Sequence, residues 1–141
     1  MNDLNAFHQL VGETLMFCQC IERDIKFIYA GMLEGDFEKN YSTVERKTLG
    51  AVLKDLEVLD NSDNKPYFSF NDYRLLNEIK DTRNYWVHKA YTEFLYQHGS
   101  DYLRVFRKVD NKLMDTHSRF KVLSDETEKI RIHVLEKYNR I

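Results

Sequence analysis

One short stretch, Arg83-Asn84-Tyr85-Trp86-Val87-His88-Lys89-Ala90-Tyr91, gathers the side chains best suited to chemistry in this sequence. Asn84, His88 and Tyr91 stand at i, i+4 and i+7, the spacing that puts residues on one helix face. Arg83 is five positions before His88, about 140° away around a helix, but a guanidinium on its long stem can reach round the cylinder. A permanent cation, an amide, an imidazole and a phenol are thereby collected within about two turns. Residue types alone leave two readings open, a reactive polar site and a polar cap or interface patch.

A second polar intrusion lies far away in sequence. Leu4, Phe7, Val11, Leu15, Cys18, Ile25, Tyr29 and Met32 recur in steps of three and four, and Glu22 interrupts them between Cys18 and Ile25. Leu76, Ile79, Arg83, Trp86, Ala90 and Phe94 form another such seam, and Arg83 is its one charge. A carboxylate in an apolar seam costs several kcal/mol unless paired. A Glu22–Arg83 pair, within one subunit or across a dimer, is therefore expected.

The elements that must position these groups are helical. A first helix is expected from about Asp3 to Leu33, closed by Gly31 and Gly35, with Glu34–Asn40 as a loop. The spacing Ser42-Thr43-Val44-Glu45 matches a capping box and predicts a second helix through Leu59, with Gly50 marking a close helix crossing. Residues 60–66 read as a loop. A third helix runs from about Asn71 or Asp72 to Tyr96. A fourth starts near Asp101 with a seam of Phe106, Val109, Leu113, Phe120, Leu123, Ile130 and Val134, and Asp125 and Glu128 have the spacing to begin a fifth. The fold expected is all-α, an up-down bundle of four to five helices forming a single domain over residues 1–141.

Composition narrows the function classes. The chain has 141 residues, one Pro and five Gly, too few turn residues for an all-β sandwich. The uncharged stretch Thr14–Ile21 is far shorter than the roughly 18 residues that span a bilayer. The start, MNDLNAF, lacks the basic segment of a signal peptide. A soluble, cytoplasmic protein without membrane partners is expected. Cys18 and Cys20 have neither zinc-knuckle nor disulfide spacing and read as reduced thiols. No metal-ligand clustering of His, Gly-rich phosphate loop or nucleophile elbow is present, so neither a metal nor a cofactor is expected. The net charge of −2 excludes a generally basic nucleic-acid binder, but it is unevenly spread. Residues 1–60 carry 6 Lys and Arg against 11 Asp and Glu, whereas residues 61–141 carry 15 against 12. Arg104, Arg107, Lys108, Lys112, Arg119 and Lys121 make a local basic stripe. It is either a phosphate-attracting surface, with Arg104, Arg107, Lys108 and Lys112 as RNA contacts, or a solvated helix face.

Arg83-Asn84, three further residues and His88 resemble the signature of the HEPN superfamily, in which Arg and His are separated by four to six residues and Asn often follows the Arg. HEPN domains are all-α bundles with this motif late in the third major helix, which is its place here. The resemblance implies a metal-independent endoribonuclease of toxin or abortive-infection type, working as a homodimer in which two motif copies meet. It implies Arg83 and His88 as catalytic residues, with Asn84, Glu22 and Tyr91 in support. Cleavage of RNA by its own 2'-hydroxyl needs a base for that proton, an acid for the leaving 5'-oxygen and positive charge on the phosphorane. An imidazole titrates near neutrality and suits proton transfer, while a guanidinium grips two phosphate oxygens as a fork. Products would carry 2',3'-cyclic phosphate and 5'-hydroxyl ends. A cognate antitoxin is a further implied partner. In members paired with nucleotidyltransferase antitoxins a Tyr stands two residues after the His, whereas here that position is Ala90 and Tyr91 comes one later. The alternative is a non-catalytic relative that binds RNA, nucleotide or a partner protein.

Overall fold

The computed structural model describes residues 2–141 and is all-α, with no strand among those residues. Seven helices follow one another: α1 (Leu4–Met32), α2 (Phe37–Glu45), α3 (Leu49–Asp60), α4 (Phe70–Asn77), α5 (Ile79–His88), α6 (Ala90–Leu95) and α7 (Ser100–Lys137). None of them is long and apolar enough to cross a membrane. The chain divides into two compact units. The first comprises the chain up to Cys18 with Ile79–Val122, and the second comprises Gln19–Glu78 with Leu123–Ile141.

In the first unit, Phe7 and Val11 of α1 pack with Trp86, Ala90 and Phe94 of α5 and α6 and with Phe106, Val109 and Leu113 of α7. Phe7 is the hub, in edge-on or tilted contact with Trp86, Tyr91, Phe94 and Phe106 at ring separations of 5.3–6.3 Å. Such arrangements match the positive edge of one ring to the negative face of another. Trp86 is only 2% exposed, so it is a core residue of this unit. Asp110, fully buried, accepts from both the backbone N–H and the side-chain amide of Asn2 at 3.1 and 3.0 Å, which gives each of its oxygens a donor.

The second unit contains the remainder of α1, then α2 to α4 and the end of α7. Gly31 lies within α1, where an added Cβ would meet Val134 Cγ1 at 3.1 Å and Leu135 Cδ2 at 3.2 Å. This is the close crossing that Gly50 was expected to mark; around Gly50 nothing lies within 4 Å of that position. The carbonyls at the end of α1 find a partner from the chain terminus, where the Arg140 guanidinium donates to the oxygens of Gly31, Leu33 and Gly35. That supplies acceptor satisfaction a helix end otherwise lacks, and Gly35, at φ +101°, makes the turn only glycine adopts readily. Asp24, 5% exposed, pairs with Arg131 at 2.9 Å, yet burial outweighs the guanidinium and holds its carboxyl above the usual range. Asp60 closes α3 and organises the following loop. One oxygen accepts from the Tyr67 N–H at 2.7 Å, the other from the Phe68 N–H at 3.1 Å and the Tyr73 hydroxyl at 2.6 Å.

Several boundaries differ from the sequence expectation. The second helix does not begin at Ser42. Ser42 lies inside α2, which starts at Phe37 because Phe37 and Tyr41 stack with Phe27 of α1 at 6.1 and 4.3 Å. The next helix start is Thr48, whose hydroxyl accepts from the Ala51 N–H at 3.3 Å. The reciprocal capping box is Ser69 with Asp72, opening α4. The expected third helix is divided at Glu78 and at Lys89, while the fourth runs unbroken past Asp125 to Lys137.

Candidate functional site

Arg83, Asn84, His88 and Tyr91 all belong to the first unit. Buried Ile79 and Trp86 hold α5 against the core, and buried Ala90 and Phe94 do the same for α6. With those positions turned inward, Arg83 is half-buried while Asn84 and His88 face solvent. His88 is the last residue of α5. Lys89, at φ −123° and ψ −36°, leaves helical geometry, although its N–H still bonds the Tyr85 carbonyl at 2.9 Å. The motif therefore ends at a helix C-terminus, followed directly by a second short helix.

Tyr91 is half-buried and committed to another histidine. Its hydroxyl shares a 2.7 Å hydrogen bond with His8 Nδ1, and the two rings stack at 5.4 Å and 29°. Burial holds this phenol above its ordinary pKa, so it keeps its proton. Sequence reasoning did not find His8. Its partner is 83 residues away, and no local spacing signals the contact. A second such pair joins His117 Nε2 of α7 to Glu13 Oε2 of α1 at 2.7 Å, with Phe17 tilted against the imidazole at 5.3 Å. That hydrogen bond lowers the Glu13 carboxyl below its usual range.

Glu22 belongs to the second unit and Arg83 to the first. Glu22 is half-buried, as its place in the α1 seam requires, with Cys18 and Ile25 both fully buried around it in the sequence. Lys26, one turn on in α1, has its ammonium 3.6 Å from the carboxylate and also donates to the Glu45 carbonyl at 3.1 Å. Cys18 is buried, Cys20 exposed, and both are free thiols.

The four basic residues expected to meet RNA are exposed on α7 within the first unit. Arg104, Lys108 and Lys112 form an i, i+4, i+8 stripe, flanked by Arg107. Two of them have neighbours that hold them. Arg104 pairs with Asp101 at 3.5 Å, and the Lys112 ammonium sits 3.6 Å above the Tyr85 ring. Tyr85 donates to Glu93 at 2.7 Å, and burial together with that carboxylate pushes its phenol far above the usual range. Lys112 thus covers an aromatic face in a cation–π contact. Among the described residues no group of three or more His, Cys, Asp or Glu can hold a metal ion.

Compared with protein-family models, with curated proteins and with solved structures, the chain matches none. The functional reading therefore rests on the residues themselves and on the motif resemblance.

Proposed function

We propose that the chain is a metal-independent endoribonuclease that acts in the cytoplasm as a homodimer, a toxin or defence effector of HEPN type. The observation that carries this reading is the display of Arg83, Asn84 and His88 along one helix, with Asn84 and His88 open to solvent. Arg83 would grip two non-bridging phosphate oxygens as a fork and stabilise the dianionic phosphorane. His88 would take the proton from the ribose 2'-hydroxyl, whose oxygen attacks the adjacent phosphorus as the bond to the 5'-oxygen breaks. The leaving oxygen collects a proton, giving 2',3'-cyclic phosphate and 5'-hydroxyl ends. Asn84 would hold a phosphate oxygen or the imidazole. Because each motif copy offers one imidazole, a second copy across a dimer supplies the complementary acid. Exposed Arg107 and Lys108 would draw the RNA backbone in, which makes binding salt-dependent. A cognate antitoxin covering this surface is the partner such a toxin requires.

The reaction chemistry is tested by incubating a structured RNA with the protein in excess EDTA and identifying the product ends. Cyclic phosphate and 5'-hydroxyl ends support the proposal. Salt-sensitive binding without turnover supports the non-catalytic alternative instead.

A further inference from the structure

The second unit contains a cavity of about 390 Å³ that the proposed reaction does not use. Asp63, Asn64, Lys65 and Tyr67 line it from the loop after α3, and His133 and Lys137 line it from α7. The volume lies within the roughly 300–1,000 Å³ of small-molecule sites.

Its walls are fixed in advance. Asp60 accepts from the Tyr67 and Phe68 N–H groups, and the Asp63 carboxylate accepts from the Lys65 N–H at 2.8 Å, so the loop is pinned on both sides of Lys65. His133 and Lys137 are four residues apart and share one face of α7. The Lys137 ammonium donates to the Tyr67 hydroxyl at 3.3 Å, and that bond holds the ammonium in its charged form. The His133 ring meets Tyr67 edge-on at 5.7 Å.

Charge and shape then select the ligand. Two ammonium groups face one carboxylate, and that carboxylate already accepts a backbone hydrogen bond. The C-terminus of α7 contributes only about half a negative charge, less than either lysine opposes to it. An anion is favoured, and two lysines lining one cavity match a phosphate dianion better than a singly charged carboxylate. Tyr67 and His133 meet edge-on there, with the Lys137 ammonium 5.7 Å from the Tyr67 ring centre, and a flat ring would add contact with these rings that a bare anion cannot make. We propose that this cavity binds a phosphate monoester carried on a flat ring, with the phosphate between Lys65 and Lys137 and the ring against Tyr67 and His133.

The test is calorimetric titration of the full chain with phenyl phosphate, inorganic phosphate and benzoate. Phenyl phosphate is expected to bind saturably and about tenfold tighter than either of the others. Lys65→Gln and Lys137→Gln, at exposed positions that leave the fold intact, are each expected to weaken phenyl phosphate about tenfold. Tyr67→Leu, with its helicity checked by circular dichroism, is expected to erase the preference for phenyl phosphate over inorganic phosphate. Absence of saturable binding at millimolar ligand, equal binding of benzoate, or affinity unchanged in both lysine variants would each overturn the proposal.

Discussion

Arg83 and His88 divide the proposed reaction between charge stabilisation and proton transfer, and each makes a different demand on its side chain. The demand on Arg83 is geometric as well as electrostatic, because only a planar guanidinium presents two parallel donors to two phosphate oxygens. Arg83→Lys keeps the charge and loses the fork, so cleavage is expected to fall roughly tenfold or more while helicity is unchanged. Equal rates in a single-turnover cleavage assay would show that the fork is not used. His88 occupies an exposed helix end, which suits a group that must approach substrate. The spacing of Arg83, Asn84 and His88 along one helix was legible because it is local. The bonds of His8 to Tyr91 and of Glu13 to His117 were not, since each joins residues 83 or more apart. Tyr91 shows the consequence. Its spacing assigned it to the His88 face, but its hydroxyl engages α1.

At the scale of elements, the apolar seams were readable and the helix ends were not. Phe7, Val11, Cys18 and Ile25 of α1 and Phe106, Val109, Leu113, Phe120, Leu123 and Val134 of α7 are all buried, as periodicity requires. Capping patterns misled where the preceding helix had no reason to stop. Asp125 and Glu128 have capping-box spacing, but no Gly or Pro interrupts the chain from Ser100 to Lys137, and Thr127 is buried with its hydroxyl bonded back to the Ser124 carbonyl at 3.0 Å. The breaks at Glu78 and Lys89 carry no breaker residue either, so packing sets them. The glycines permit a test with opposite signs. Gly50→Ala has open space and is expected to stabilise by roughly 0.5–1 kcal/mol. Gly31→Ala would press on buried Val134 and Leu135, and overpacking of about 1–3 kcal/mol exceeds the propensity gain, so stability is expected to fall by about 1 kcal/mol. Urea unfolding of both variants gives the two signs directly. A pH effect belongs to the joint between α4 and α7 in the second unit. Burial, then a hydrogen bond that the protonated Glu126 carboxyl donates to Asp72, and the charge of Asp72 push the Glu126 carboxyl up to about 7. The folded state therefore keeps a proton that the unfolded chain releases near the ordinary carboxyl range. The stability this group contributes is complete below that range and is lost as pH rises through about 7. Urea midpoints are expected to fall between pH 5 and 8, and Glu126→Gln is expected to flatten that slope. An equal slope in the variant would remove Glu126 as its source.

For the whole molecule, an even composition hides an uneven charge distribution. A net charge of −2 coexists with a basic stripe on α7 in the same unit as the Arg83–His88 helix. If the proposed RNA binding uses this stripe, affinity is expected to drop with added salt in proportion to the phosphates neutralised. The proposed reaction calls for a homodimer, because one motif copy supplies one imidazole and the proposed cleavage needs an acid as well as a base. The most direct test compares wild type with His88→Ala on one structured RNA in the presence of EDTA. The wild type is expected to cut to cyclic phosphate ends. The variant, with unchanged helicity, is expected to lose about 10²–10⁴ in rate. Cleavage by the variant at the wild-type rate would contradict the central claim.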